Sequence, residues 1–127
     1  NAMGLAKGLE NAGLRLVSGG TDNHMLLVDL TTTGVTGWEA QQALESVGIV
    51  ANRNAIPFDP RPPKITSGMR FGTPAVTSRG MGPEEMMAIA GWIVKVISHI
   101  GDQNVQKQVS EEVLQMCRRF PVPGIDY

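Results

Sequence analysis

Cysteine occurs once in these 127 residues, at position 117. One thiol can form neither an internal disulfide nor a cysteine-based zinc cluster, which is the pattern of a reducing compartment and makes the cytoplasm the default location. Charge is scarce as well: 11 basic and 12 acidic side chains give a net charge of -1, and charged residues make up 18% of the chain, against about 25% in ordinary soluble domains. A nearly neutral chain lacks the basic footprint that nucleic-acid binding needs. The longest apolar run, Met86 to Val94, falls far short of the roughly 20 residues that span a bilayer. With only two histidines, and with Lys7, Lys64, Lys95 and Lys107 on polar helix positions or in a proline-rich stretch, no complete catalytic constellation can be assembled. No buried amine of the kind used for Schiff-base chemistry is expected.

Glycine and proline are abundant instead. The 15 glycines and 8 prolines exceed the roughly 12% these two residues usually contribute, which implies many special turns rather than disorder. The length suits one domain with a proper core. Asn1-Ala2-Met3 reads as the remnant of a cleaved expression tag, so the domain is taken as residues 4–127 and the whole as a piece of a larger protein.

Along the chain, Leu5 and Leu9 recur at helical spacing and Gly13 is placed to end that helix. Leu14 to Ser18 alternates as a first strand. Met25 to Leu30 is expected as a second strand, and its fully apolar run Met25-Leu26-Leu27-Val28 suits one covered on both faces, or mostly so. Thr36-Gly37-Trp38-Glu39 is a capping box, followed by an inner face of Ala40, Leu44 and Val47 and closure at Gly48. Ile49 to Asn52 is expected as a third strand and Met69 to Gly72 as a fourth. Between them Arg53 to Thr66, with Pro57, Pro60, Pro62 and Pro63, is an extended loop shaped by its prolines. A loop of that length inside a compact domain is usually functional. Pro83 opens a helix with Met86, Ala90, Ile93, Ile97 and Ile100 on one face, ended by Gly101. A last amphipathic helix carries Val105, Val109, Val113, Met116 and Phe120 and stops at Pro121. Met86, Met87 and Met116 sit at core spacing, and Cys117 reads as an inert core thiol. The expected fold is α+β: a small, mostly antiparallel sheet of three to four strands flanked by helices.

Arg70, in Ser67-Gly68-Met69-Arg70-Phe71-Gly72, is the most informative single residue. A guanidinium keeps its charge and offers a planar fork for a carboxylate or phosphate, and flanking glycines let a ligand approach closely. The structural alternative is an ion-paired arginine on an edge strand. Asn52 and Asn54 offer amide groups at the mouth of the proline-rich loop, or else bond their own backbone as turn residues. His24 beside Asp22 has no partner at triad or metal spacing, and His99 lies near a helix C-terminus. Ser18-Gly19-Gly20-Thr21 precedes a strand rather than a helix and is a turn, not a phosphate loop.

Two segments carry a resemblance: Ser18 to Leu30 (SGGTDNHMLLVDL), and Gly48 to Pro60 (GIVANRNAIPFDP) continuing through Thr66 to Ala75 (TSGMRFGTPA) and Thr77 to Gly80. They closely resemble the C-terminal small domain of serine hydroxymethyltransferase, a pyridoxal-phosphate enzyme of the aspartate-aminotransferase fold type, from about Leu5 to Pro121. The resemblance implies a parent that interconverts serine plus tetrahydrofolate with glycine plus 5,10-methylenetetrahydrofolate. It implies that Arg70 binds the amino-acid carboxylate and that Asn54 hydrogen-bonds the folate ring. Pro62-Pro63-Lys64 falls where many members carry Ser-Pro-Phe beside the same ligand. Lys64 stands in place of the usual aromatic, and its ammonium is a candidate partner for folate's glutamate tail. The family's Schiff-base lysine and most phosphate-binding residues belong to a large catalytic domain, with further groups from a partner subunit of a homodimer or higher oligomer. The 127-residue piece is therefore expected to be catalytically silent, with no metal site.

A different class of protein remains open on the residues alone, a free-standing module that recognises a carboxylate metabolite through Arg70 and the proline loop. If part of the weakly charged surface normally faces a large domain, the isolated chain should self-associate. Sedimentation velocity at increasing concentration tests this, and a monomer that persists throughout the series contradicts it.

Overall fold

The computed structural model describes residues 2–17, 25–49, 51–72 and 81–120. His24, the glycine-rich turn at 18–21 and Pro121 lie outside them.

Leu5, Ala6 and Leu9 are buried on one side of α1 (Ala2–Asn11), and Gly13, at φ 98°, turns the chain out of the helix. Ala2 and Met3 form the start of this helix. Four strands follow: β1 (Arg15–Leu16), β2 (Met25–Asp29), β3 (Asn52–Asn54) and β4 (Gly68–Gly72). They form one sheet in the order β1-β2-β4-β3 with every neighbouring pair antiparallel. The third strand begins at Asn52, not at Ile49, and takes Arg53 and Asn54 out of the expected loop, because these residues pair with Met69 and Gly68. Leu16, Leu26, Val28, Met69 and Phe71 are buried on one face of the sheet. Leu27 between them is only half-buried, so within this chain β2 is fully covered on one face rather than two.

All the α-helices of the described residues contribute to that core. The capping box opening α2 (Gly37–Ser46) is present: the Glu39 amide donates to Thr36 Oγ1 at 3.1 Å and the Thr36 amide to Glu39 Oε1 at 3.1 Å. Ala40, Ala43, Leu44 and Val47 are buried, and Gly48 reverses the chain at φ 87°. The longer α3 (Pro83–Ser98) starts with proline at its first turn and a Gly82 amide donating to Glu85 Oε1 at 2.7 Å, and it buries Met86, Ala90, Ile93, Val96 and Ile97. It packs on α1, α2 and the last helix, α4 (Gln103–Arg119). Asp102 caps α4 by accepting from the Asn104 and Val105 amides, and Val109, Val113 and Met116 face inward. Met87 and Ile100 are exposed rather than core: the first points away from the buried stripe and the second lies beyond the helix end. Cys117 is half-buried against the core.

Two glycines allow the close approaches on which the sheet depends. A Cβ at Gly68 would sit 2.6 Å from the Asn54 carbonyl and 2.7 Å from Ile56 Cγ2, and one at Gly37 would collide with Thr66 Oγ1 and approach the Gly68 carbonyl to 2.6 Å. Gly91 in the middle of α3 has open space around it. Gly68→Ala should therefore lose about 1 to 3 kcal/mol through overpacking, whereas Gly91→Ala should gain up to about 1 kcal/mol from helix propensity. Urea titrations of the two variants test the contrast, and equal midpoints would contradict it.

Candidate functional site

Alternation along β4 sends Met69 and Phe71 into the core and Arg70 to the opposite face, where its side chain is exposed. Its cross-strand neighbours are Leu27 on β2 and Asn52 on β3. Directly opposed residues of an antiparallel pair share a face, so Asn52 and, one step along, Asn54 opposite Gly68 lie on Arg70's side. Among the described residues the Arg70 guanidinium has no hydrogen-bond or ion-pair partner. The alternative of an ion-paired edge-strand arginine does not hold, since β4 is paired along both edges. What the face presents is a charged fork with glycines at positions 68 and 72, which can grip a carboxylate or phosphate in two parallel hydrogen bonds.

The opposite side of β3 is tied to α2. Arg53 donates through its amide to Gln41 Oε1 at 2.9 Å and through Nη1 at 3.1 Å, and its guanidinium lies 4.7 Å from the centre of the Trp38 ring. This fixes the short strand without using its ladder edge and leaves Asn52 and Asn54 on the face shared with Arg70. Asn54 Nδ2 donates to the Ala55 carbonyl at 2.9 Å, the local turn bond expected of a loop asparagine, while its Oδ1 has no partner among the described residues.

The loop from Ala55 to Ser67 is anchored at its exit by α2. The Gly37 amide donates to the Thr66 carbonyl and the Trp38 amide to the Ile65 carbonyl, both at 3.0 Å, so orphan donors of the helix start become partners of the loop. The Pro62 carbonyl accepts from the Ile65 and Thr66 amides at 2.9 Å, which places Pro62, Pro63 and Lys64 on an exposed turn. Thr66, buried, adopts φ 59°, and Phe58, fully exposed, φ 56°. Left-handed backbone in a bulky or β-branched residue costs on the order of 1 to 3 kcal/mol and persists only where surroundings impose it.

Beside both residues lies a set of hydrogen bonds centred on Asp59. Asp59 Oδ1 accepts from the Arg61 amide at 2.9 Å and the Ser67 hydroxyl at 2.7 Å, and Oδ2 from the Ser67 amide at 2.8 Å and the Ile56 amide at 3.2 Å. Arg61 Nη1 adds a bond to Ser67 Oγ at 3.1 Å. Asp59-Pro60-Arg61 does carry the signature of an aspartate turn that bonds the amide two residues on; the reach to Ser67 has no local signal. Elsewhere the titratable groups do little: His99 caps α3, with Nδ1 2.9 Å from the Lys95 carbonyl, and Lys95 Nζ donates to Gln108 at 2.9 Å. Among the described residues no three histidine, cysteine, aspartate or glutamate side chains gather as a metal site, and no helix is long and apolar enough to cross a membrane.

An antiparallel four-stranded sheet with helices on one face, an arginine and two asparagines on the other and a clamped loop at its edge defines an α+β small domain. Comparison with known proteins gives its family. The family model described as serine hydroxymethyltransferase matches residues 1–93. The serine hydroxymethyltransferase of Dehalococcoides mccartyi strain CBDB1 is 54% identical over 127 residues, 99% of this chain and 31% of its own length. That of Sorangium cellulosum strain So ce56 is 52% identical over 125 residues, 98% of this chain and 30% of its own. The chain belongs to the serine hydroxymethyltransferase family, and it spans a little under a third of the length of these relatives. The free-standing binding module gains no support from them.

Burial pushes the Asp59 carboxyl upward, but the hydrogen bonds from Arg61, Ser67 and Ile56 outweigh it and hold the group below the ordinary 3.8. A lowered folded value means that the ionised carboxylate stabilises the fold fully above pH 3.8, and that this contribution is lost as pH falls through the folded value. The Asp59 side-chain carboxyl resonance should titrate below 3.8; a midpoint above it contradicts the hydrogen-bonded clamp.

Proposed function

We propose that the chain is the C-terminal small domain of a pyridoxal-phosphate-dependent serine hydroxymethyltransferase and supplies substrate recognition to a parent that interconverts serine plus tetrahydrofolate with glycine plus 5,10-methylenetetrahydrofolate. The observation that carries this reading is Arg70, exposed on an interior strand with no partner among the described residues. A bidentate grip on the amino-acid carboxylate fixes the orientation of the bonds at Cα, which is the protein's part when a cofactor serves as electron sink. Asn54, with Oδ1 unused, contacts the folate ring, and Pro62, Pro63 and Lys64 border it from the exposed turn, the Lys64 ammonium facing folate's glutamate tail.

The described residues do not fit pyridoxal phosphate itself. Lys7, Lys64 and Lys107 are exposed and Lys95 is half-buried on Gln108, so no buried amine is available to hold the cofactor. The cofactor is supplied by the large domain of the same chain. That domain, with a second subunit of a homodimer or higher oligomer, completes the site in the cytoplasm, and the 127-residue piece is silent by itself. The cofactor supplies the electron sink when bound; this chain's residues bind and orient.

In the full-length parent, Arg70→Ala should weaken use of serine and glycine by on the order of 30- to 1000-fold, the loss of a charge-assisted pair worth about 2 to 4 kcal/mol. Unchanged steady-state kinetics would remove Arg70 from the site. Calorimetry of the isolated chain with serine, glycine and folate should show dissociation constants above about 10 μM, as an incomplete site requires; tighter binding would favour a self-sufficient module.

A further inference from the structure

The donors gathered on Asp59 lie at three separate points of the loop. Ile56 is two residues past the end of β3, Arg61 is at the middle of the loop, and Ser67 is the residue before β4. Each carboxylate oxygen takes two donors, and an ionised carboxylate is an acceptor at both positions. The four prolines narrow the loop's conformations, but a proline has no amide to donate, so none of them can join one end of the loop to the other in this way. Phe58 and Thr66, the two non-glycine residues with positive φ, stand immediately beside Asp59 and Ser67, so the strained backbone is next to the bonds that can impose it.

Arg70 is held differently. Its backbone is paired with Leu27 on one side and Asn52 on the other, and that pairing does not pass through Asp59. The loop and the arginine are thus two structures meeting at Ser67-Gly68, one fixed by a side chain and one by the ladder.

The geometry points to Asp59 as a positioning residue for the folate subsite: by joining the entry, middle and exit of the 55–67 loop it holds the loop in its binding shape, while the amino-acid subsite at Arg70 does not depend on it. This rests on the folate reading of the loop proposed above. Asparagine is the informative replacement. Its carbonyl can take over one oxygen's pair of donors, but its NH2 then faces either the Ile56 and Ser67 amides or the Arg61 amide, donor against donor.

The test uses the full-length holoenzyme. Asp59→Asn should raise the KM for tetrahydrofolate by about tenfold or more, the scale of a lost pair of charge-assisted, part-buried hydrogen bonds, with the KM for serine within about threefold of wild type. Hydrogen–deuterium exchange of peptides covering residues 55–67 should speed up by a similar factor while peptides covering β4 stay protected. A folate KM within threefold of wild type, or folate and serine KM values rising together, would overturn the assignment. Should Asp59→Asn not accumulate as folded protein, Ser67→Ala carries the same test, since it removes the hydroxyl from Asp59 Oδ1 and keeps the Ser67 amide bond; a smaller rise confined to folate supports the inference and no selective rise overturns it. Wild-type enzyme separates the two readings: absence of folate-dependent transfer there contradicts the proposed function, whereas normal transfer there with an unmoved folate KM in the variants contradicts the role of Asp59 alone.

Discussion

Strand β4 is hydrogen-bonded along both edges, to β2 on one side and β3 on the other. Because side chains alternate across a pleated strand, this one placement puts Met69 and Phe71 under the helices and Arg70 on the bare face. It also brings Asn52 and Asn54 to that arginine's face, since β3 pairs with β4 in the register Asn52–Arg70 and Asn54–Gly68. Gly68 makes the arrangement possible: the Asn54 carbonyl and the Ile56 side chain occupy the space a Cβ would need. The proline loop then has its two ends brought together by β-pairing, and Asp59 has only to fasten what the sheet has already closed.

Helix α2 serves the same end from the core side. Its first amides take the Thr66 and Ile65 carbonyls, Gln41 takes the Arg53 amide, and Trp38 supports the Arg53 guanidinium. The sheet edge and the loop exit are therefore both attached to one rigid helix, whose own start is secured by the Thr36–Glu39 capping box. Elements that would be mobile alone, a three-residue strand and a thirteen-residue loop, inherit the stability of the core through that helix.

Much of this was legible in the residues. The capping box, the first-turn proline at residue 83 and the left-handed glycines at 13, 48 and 101 are local chemistry and stand where their sequence signals put them. Arg70 was legible as a strand arginine between glycines. What was not legible depends on partners far along the chain. Asn52 to Asn54 have no apolar alternation, so they read as loop, and only pairing with Gly68 to Arg70 makes them a strand. Asp59 reads as one more turn residue because Ser67 lies eight positions away. The prolines, conspicuous in composition, narrow the loop's conformations, and the Asp59 carboxylate adds hydrogen bonds from its entry, middle and exit. Met87 fits the helical spacing but points outward, since spacing fixes a stripe only to within a residue's width.

The chain's low charge, and a sheet face on which Arg70 and Asn52 are exposed, agree with the proposal that groups outside the domain complete its site. Under the proposed function its part is geometric, an arginine for a carboxylate and a clamped loop for a second ligand. The most direct measurement is a crystal structure of the full-length enzyme with glycine bound. The account predicts the glycine carboxylate in two hydrogen bonds of about 2.7 to 2.9 Å to the Arg70 guanidinium, on the sheet face away from Met69 and Phe71. A glycine carboxylate held by other residues, with Arg70 turned to solvent or to a protein carboxylate, would contradict it.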